Sequence, residues 1–233
     1  MKKSCAARVA LLAAMSLATV AGSPVSAAAQ GGTIEATVKY AGKPVVDTIK
    51  VTKDTQQCGT EKKIEKVAVG TGGGLMHAIV SLADGKGATT AKTAKATLDQ
   101  KGCAFHPPVV GMTPGEIDIL NSDGILHNIH TFSTANPSVN KAQPKFKKVI
   151  TEKFTKPEII RVQCDVHTWM LGWIAVMPHP YFGITDDKGT AKIDSVPAGK
   201  QKIKVWHPVL GEQTKEVEVK AGQTTKVAFE LKK

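Results

Sequence analysis

Hydrophobic and polar residues alternate near both ends of the chain. Ile34, Ala36 and Val38 are separated by polar residues, and Ile203 and Val205 repeat the same spacing. Successive side chains of a β-strand point to opposite faces, so a period of two predicts half-buried antiparallel strands. The 21 Gly and 12 Pro residues supply turns between such strands. The pattern predicts an all-β fold of packed sheets, without long helices outside the N-terminus.

The chain divides into an N-terminal leader and three β-rich stretches. We expect a signal peptide at residues 1–29, an N-terminal β segment at 30–99, a domain that carries the chemistry at 100–178 and a C-terminal β unit at 179–233. Residues 136–156 have no clear period and are expected to be an irregular excursion. The sequence leaves open whether the first and last β segments pack into one sandwich or form two units.

The leader has the composition of a secretory signal. Three basic residues precede an uncharged stretch rich in Ala and Leu at residues 9–21, and small residues then offer cleavage after Ala27 or Ala29. The alternative is an uncleaved anchor, but the apolar run is short for a bilayer. We therefore expect a periplasmic or secreted protein that has no membrane span after cleavage.

The chain is basic, with a net charge of +11. Such a charge favours acidic partners or an anionic membrane surface. Its lysines alternate along predicted strands, as at Lys200, Lys202 and Lys204, without the interleaved aromatic residues that stack on bases. We therefore expect a solvated basic surface and no nucleic-acid partner.

Three cysteines remain after Cys5 leaves with the signal peptide. Cys58 and Cys103 each lie in a turn-like stretch beside a glycine, and they can form a disulfide. Cys164 is then unpaired, although an unprotected thiol is a liability in an oxidising compartment. A metal-bound thiolate explains its presence. A buried inert Cys164, or a different pairing, is the alternative.

The residues at 164–170 have the spacing C-x2-H-x2-M, which brings a thiolate, an imidazole and a thioether into one short loop. His127 follows a predicted strand and adds a second imidazole, for which His130 is an alternative. Two His, one Cys and a weak Met ligand form the donor set of an electron-transfer copper site. Zinc competes for Cys and His, but Met is a poor zinc ligand. The remaining alternative is that Cys164 and His167 only pack in a core.

The stretch from about residue 103 to residue 177 resembles the cupredoxins, the family of plastocyanin, pseudoazurin and amicyanin. The strand that begins at Gly115 and leads to His127 and Asn128 is similar to the strand before the first His ligand in that family. The loop at 164–170 is similar to the short ligand loop of amicyanin.

The resemblance implies a cupredoxin-like Greek-key β-sandwich that holds one copper ion per chain as Cu(II) or Cu(I). Its implied metal ligands are His127, Cys164, His167 and Met170, and Asn128 would anchor the ligand loop. His167 would lie at the solvent edge, where a redox protein partner would dock.

The flanking segments resemble a second kind of sandwich. Residues 32–38 and the turn at 41–44 are similar to the opening of a carboxypeptidase-regulatory-like (transthyretin-like) module, and residues 181–231 are similar to its body. This resemblance implies a second β-sandwich and says little about function.

The leading hypothesis is an exported mononuclear type 1 (blue) copper protein that carries single electrons between periplasmic redox partners. We do not expect an enzyme, since no nucleophile–base pair, paired carboxylates or open-site metal motif is recognisable. A periplasmic copper carrier or buffer is one alternative, supported by His106, His130 and the additional Met residues. The other is a metal-free adhesion or carbohydrate-binding β-sandwich.

Overall fold

The computed structural model describes residues 31–85 and 94–233, so the predicted signal peptide at 1–29 lies outside the described residues. Within these ranges the chain has eighteen strands, one short helix α1 at Thr55–Cys58 and one 3-10 turn, which confirms the all-β prediction. No helix in these ranges is long and apolar enough to cross a bilayer. The strands are β1 Gly32–Tyr40, β2 Val45–Lys50, β3 Glu61–Val67, β4 Ile79–Leu82, β5 Ala96–Lys101, β6 Ala104–His106, β7 Val109–Met112, β8 Gly115–Asn121, β9 His127–Phe132, β10 Asn140–Gln143, β11 Val149–Phe154, β12 Glu158–Gln163, β13 Leu171–Val176, β14 Phe182–Ile184, β15 Thr190–Val196, β16 Gly199–His207, β17 Gly211–Val219 and β18 Thr224–Leu231.

One sandwich, called here the terminal sandwich, combines the two ends of the chain. β1 lies between β15 and β18 in one sheet, and β4 lies between β14 and β16 in the other, with β17 at the edge. Ile34, Ala36, Val38, Ile203 and Val205 are all fully buried in its core, so the period of two identified the inward faces. The first and last β segments therefore form one sandwich. Its likeness to a carboxypeptidase-regulatory-like module remains a prediction.

The second, central sandwich lies between these two segments in the sequence. It packs a five-stranded sheet, in the order β10-β9-β12-β13-β7, against a four-stranded sheet in the order β11-β8-β5-β6. Leu98, Ile117, Ile129 and Ile174 are fully buried between the sheets. β5 spans the predicted division between residues 99 and 100, and it pairs with β6 and β8 in this sandwich.

The hydrophobic pattern misses two edge strands. β10 and β11 each lie at the edge of their sheet, and three of the four residues of β10 are exposed. An edge strand has a neighbour on one side only and carries more polar side chains, so its hydrophobic period is weak. The expectation of an irregular excursion at 136–156 is therefore wrong for these two strands.

The β2–β3 hairpin, with α1 between its strands, forms an arm at residues 45–67 that belongs to neither sandwich. Val51 and Cys58 of the arm are buried in the core of the central sandwich. Cys58 and Cys103 form a disulfide, which confirms the pairing considered from the sequence. The disulfide therefore fixes the arm to the central sandwich beside β6.

Glu158, at the start of β12, organises the loop that follows β9. Its carboxylate accepts hydrogen bonds from the amides of Thr134 (2.6 Å) and Ala135 (3.2 Å) and from the hydroxyl of Ser133 (2.5 Å). Asn136 adds bonds from its amide and its side chain. Burial raises the pKa of Glu158, but these bonds outweigh it and hold the pKa well below its usual range.

We expect Glu158→Gln to lower the free energy of unfolding by about 1–3 kcal/mol at neutral pH, because hydrogen bonds to a charged acceptor are lost. A carboxylate with a depressed native pKa stabilises the fold above its unfolded pKa and loses that contribution as pH falls through the native pKa. The difference between the variants should therefore shrink in acid. Urea unfolding at neutral and acidic pH measures it. Glu230→Gln, at an exposed position on β18, is the control and should change the free energy of unfolding neither at neutral nor at acidic pH.

Candidate metal centre

Three of the sequence-predicted ligands meet at one end of the central sandwich. His127 begins β9, Cys164 follows the last residue of β12, and His167 lies in the loop between β12 and β13. β9 and β12 are neighbours in the five-stranded sheet, which brings the two parts of the chain together. All three side chains belong to residues that are 0% exposed.

The three potential donor atoms lie within reach of a single ion. His127 Nδ1 is 2.9 Å from His167 Nδ1. Cys164 Sγ is 3.8 Å from His127 Nδ1 and 3.9 Å from His167 Nδ1. Metal ions such as zinc bind imidazole nitrogen at about 2.0 Å and thiolate sulfur at about 2.3 Å, so a nitrogen and a sulfur on one ion lie within about 4.3 Å. The residues therefore fit a three-ligand metal site.

The outer nitrogen of each ring is held by a carboxylate. His127 Nε2 is 2.9 Å from Asp123 Oδ2, and His167 Nε2 is 2.9 Å from Asp54 Oδ2. A carboxylate accepts hydrogen bonds, so this network assigns the ring proton to Nε2 and leaves a lone pair on each Nδ1. The two lone pairs then face each other at 2.9 Å in a buried site. A metal cation between the rings, or a proton on one of the two Nδ1 atoms, would relieve this repulsion.

Asp123 is itself fixed by the backbone of the central sandwich. It accepts hydrogen bonds from the amides of Gly102 (2.6 Å) and Cys103 (2.7 Å) in addition to the His127 ring. Burial raises the pKa of Asp123, but the bonds from Cys103, His127 and Gly102 together lower it. Burial lowers the pKa of His127, although Asp123 opposes this shift. The pair therefore holds a charged carboxylate beside a neutral imidazole, which is the form that binds metal.

Cys103, Asp123 and His127 form a second cluster of potential ligand atoms. The sulfur of Cys103 is bonded to Cys58 and offers no thiolate. Cys164 is the free cysteine among the described residues. The chemistry of the sulfur atoms therefore selects the cluster of His127, Cys164 and His167.

The ligand loop is short and closed by its own backbone. The Cys164 amide donates to the Met170 carbonyl (3.2 Å), and the Met170 amide donates to the His167 carbonyl (2.8 Å). Met170 is 1% exposed and lies in the same core cluster as Cys164. The Trp169 ring lies 5.1 Å from the His167 ring, and its Nε1–H donates to the carbonyl of Cys103. The loop is therefore anchored at both ends and in its middle.

Asn128 links β9 to the ligand loop. Its Oδ1 accepts a hydrogen bond from the Asp165 amide (2.6 Å), and its Nδ2 donates to the Asp165 carboxylate (2.9 Å). His130 Nδ1 lies 2.9 Å from the same carboxylate, and the His130 ring stacks on Phe132. The structure thus places His127, and not His130, beside Cys164 and His167.

The prediction that His167 lies at the solvent edge is wrong. The residue is 0% exposed, since Asp54 covers its outer nitrogen and Trp169 packs against the ring. Asp54 immediately precedes α1 in the arm at residues 45–67. A segment from outside the central sandwich therefore closes this edge of the site.

Neither a protein-family model nor a curated protein sequence matches the chain. Among solved structures, a copper-containing nitrite reductase from Thermus scotoductus SA-01 is 24% identical with a TM-score of 0.31, and the match covers 39% of this chain and 24% of that one. A purple cupredoxin from Nitrosopumilus maritimus is 16% identical (TM-score 0.31; 35% of this chain, 99% of that one). A Cu(I) form of an amicyanin mutant is 14% identical, with a TM-score of 0.32, and the match covers 42% of this chain and 97% of that one. The chain thus spans about a quarter of the reductase. At these identities and TM-scores the likenesses assign no residue roles to this chain.

Proposed function

We propose that this chain is an exported single-copper protein of the type 1 kind, which carries one electron at a time between periplasmic redox protein partners. The observation that carries this proposal is the pair of carboxylate-fixed histidines whose Nδ1 atoms lie 2.9 Å apart beside the buried Cys164 thiol. One thiolate and two imidazoles form the trigonal donor set typical of electron-transfer copper sites.

Each residue of the site has a defined role in this proposal. His127, Cys164 and His167 would hold the copper, and Met170 would be a fourth, weak ligand that adjusts its potential. Copper supplies a reversible one-electron centre. Asp123 and Asp54 fix the orientations of the two imidazoles, so the ligands need little rearrangement when the charge at the site changes.

The burial of the site favours a carrier of electrons over an enzyme or a copper carrier. All three proposed ligands are 0% exposed. A buried ligand set gives a substrate no direct access to the centre, and it also opposes the rapid exchange that a copper carrier or buffer needs. We therefore propose electron transfer through the protein surface as the function.

Adding one equivalent of Cu(II) to the mature metal-free protein should produce an intense visible absorption band from thiolate-to-copper charge transfer. Cys164→Ser should abolish the band, because it removes the only free thiol of the described residues. His130→Gln is the matched control, since His130 bonds to Asp165 outside the site, and it should leave the band unchanged.

Two outcomes would contradict this function. A colourless protein that binds Cu(I) reversibly would indicate a copper carrier or buffer. The lack of stoichiometric binding of copper in either oxidation state would instead favour a metal-free adhesion or carbohydrate-binding sandwich.

A further inference from the structure

A large cleft lies where the arm and the two sandwiches meet. Its volume is about 640 Å³, which is within the usual range for small-molecule sites. One wall comes from β3 of the arm, one from β6 and the ligand loop of the central sandwich, and one from the turn after β16. The cleft borders the ligand loop, because Trp169 and Met170 are among its lining residues, whereas His127, Cys164 and His167 are not.

The lining of the cleft is rich in aromatic and apolar side chains. Trp169 and Trp173 are half-buried and supply flat surfaces, and Phe105, which is 3% exposed, lies behind them in the lining. Leu171 is 43% exposed and Val209 is 39% exposed, although both are large hydrophobic residues. Aromatic rings pack well against one another in offset or edge-to-face arrangements. The shape and chemistry of these walls therefore suit a planar aromatic molecule.

The β3 wall of the cleft is basic. Lys62, Lys63 and Lys66 line it together with a single carboxylate, Glu65. The Lys62 ammonium donates to the Gly102 carbonyl, and Lys66 pairs with Asp47. Lys63 is exposed, and its side chain has no ion pair or hydrogen bond to residues 31–85 and 94–233. Its charge is therefore available to an acidic group on a ligand.

His207, which is 3% exposed, adds a neutral polar group to the lining at the end of β16. Its Nδ1 accepts a hydrogen bond from the Val209 amide (3.2 Å), which assigns the ring proton to Nε2. Burial, helped by the nearby charge of His77, lowers the pKa of His207 to about 4. The ring is therefore uncharged at neutral pH and offers a hydrogen-bond donor to a hydroxyl group.

We propose that this cleft binds a small aromatic acid that also carries a phenolic hydroxyl. The aromatic walls hold the ring, Lys63 attracts the carboxylate and His207 recognises the hydroxyl. The inference rests on the cleft alone and does not depend on the metal. A ligand ring in the cleft would lie against Trp169. The Trp169 indole lies 5.1 Å from the His167 ring, so binding of the ligand would change the surroundings of the proposed metal centre.

Titration of the mature metal-free protein with 4-hydroxybenzoate, followed by NMR, tests the proposal. We expect saturable shifts of the indole N–H signals of Trp169 and Trp173 at millimolar ligand. Lys63→Ala should weaken binding by about fivefold, the loss expected for one partly exposed ion pair. Lys145→Ala, which removes a positive charge from an exposed position on the β10–β11 connection, is the matched control and should leave the affinity unchanged.

Two further measurements make the test specific. Val209→Trp should fill the cleft and abolish the shifts, and its amide spectrum reports whether the fold is retained. Benzoate, which lacks the hydroxyl, should bind more weakly than 4-hydroxybenzoate. Shifts scattered over the surface, equal losses in the two lysine variants, or no saturable shift would overturn the proposal. Because no metal is added, these results are independent of the copper experiment.

Discussion

Replacing Asp123 with asparagine is expected to weaken copper binding by about 10–100-fold, the range found when a partner of a metal-bound histidine is removed. Asp123 is 2% exposed and accepts hydrogen bonds from His127 Nε2 and from two backbone amides. An asparagine side chain presents one acceptor and one donor group, so at least one buried N–H loses its partner. The His127 ring then loses the constraint that directs Nδ1 toward Cys164. Competition with a chelator of known affinity measures the change.

Asp165→Asn is the matched control for this variant. Asp165 also binds a histidine, but that histidine is His130, and the Asp165 side chain is 43% exposed. Its substitution should therefore leave copper affinity nearly unchanged. The metal-free Asp123→Asn protein should also lose about 1–3 kcal/mol of stability from the unsatisfied buried donor. Equal affinities in the two variants would show that Asp123 does not position His127.

The proposed ligands could be identified from the sequence because most of them are close together in it. Cys164, His167 and Met170 share one short loop, and a loop of that length between two strands keeps its side chains together. His127 was identifiable because it follows the predicted strand that begins at Gly115, and the structure then places it at the start of β9. The period of two likewise identified the strands of the terminal sandwich, where one face of each strand is buried.

The partners of these donors could not be predicted in the same way. Asp123 lies only four residues before His127, but a carboxylate in a polar turn has no distinctive pattern. Asp54 lies 113 residues from His167, and only the fold of the arm brings it there. The burial of His167 depends on the same long-range placement. Local patterns report the residues of one loop or strand, whereas these contacts depend on tertiary packing.

Replacing both Cys58 and Cys103 with serine is expected to lower the free energy of unfolding by about 4 kcal/mol, on the chain-entropy relation for a loop of this size. The disulfide joins residues 45 positions apart. Cys164 remains as the only thiol of the described residues, so no new pairing can form within them. Denaturant unfolding of the oxidised parent and the double variant, both without metal, measures the difference.

The same double variant should also bind copper more weakly, because the disulfide lies between the two carboxylates that orient the His127 and His167 rings. The Cys58 amide donates to the carbonyl of Asp54, whose carboxylate holds His167, and the Cys103 amide donates to the carboxylate of Asp123. Without the bond, packing at Val51 and Val67 holds the arm less firmly, so His167 Nε2 should become more accessible to water.

Asp54→Asn separates the loss of the tether from the loss of the carboxylate. It keeps the disulfide and the arm in place but replaces the acceptor on His167 by a weaker one. We therefore expect Asp54→Asn to lower copper affinity while changing the free energy of unfolding by much less than the double variant does. Chelator competition and urea unfolding on the same samples give both values. The contrary result is a double variant that loses stability and still binds copper as tightly as the parent. That result would show that the arm contributes only to the stability of the fold, and that covering His167 Nε2 does not contribute to metal binding.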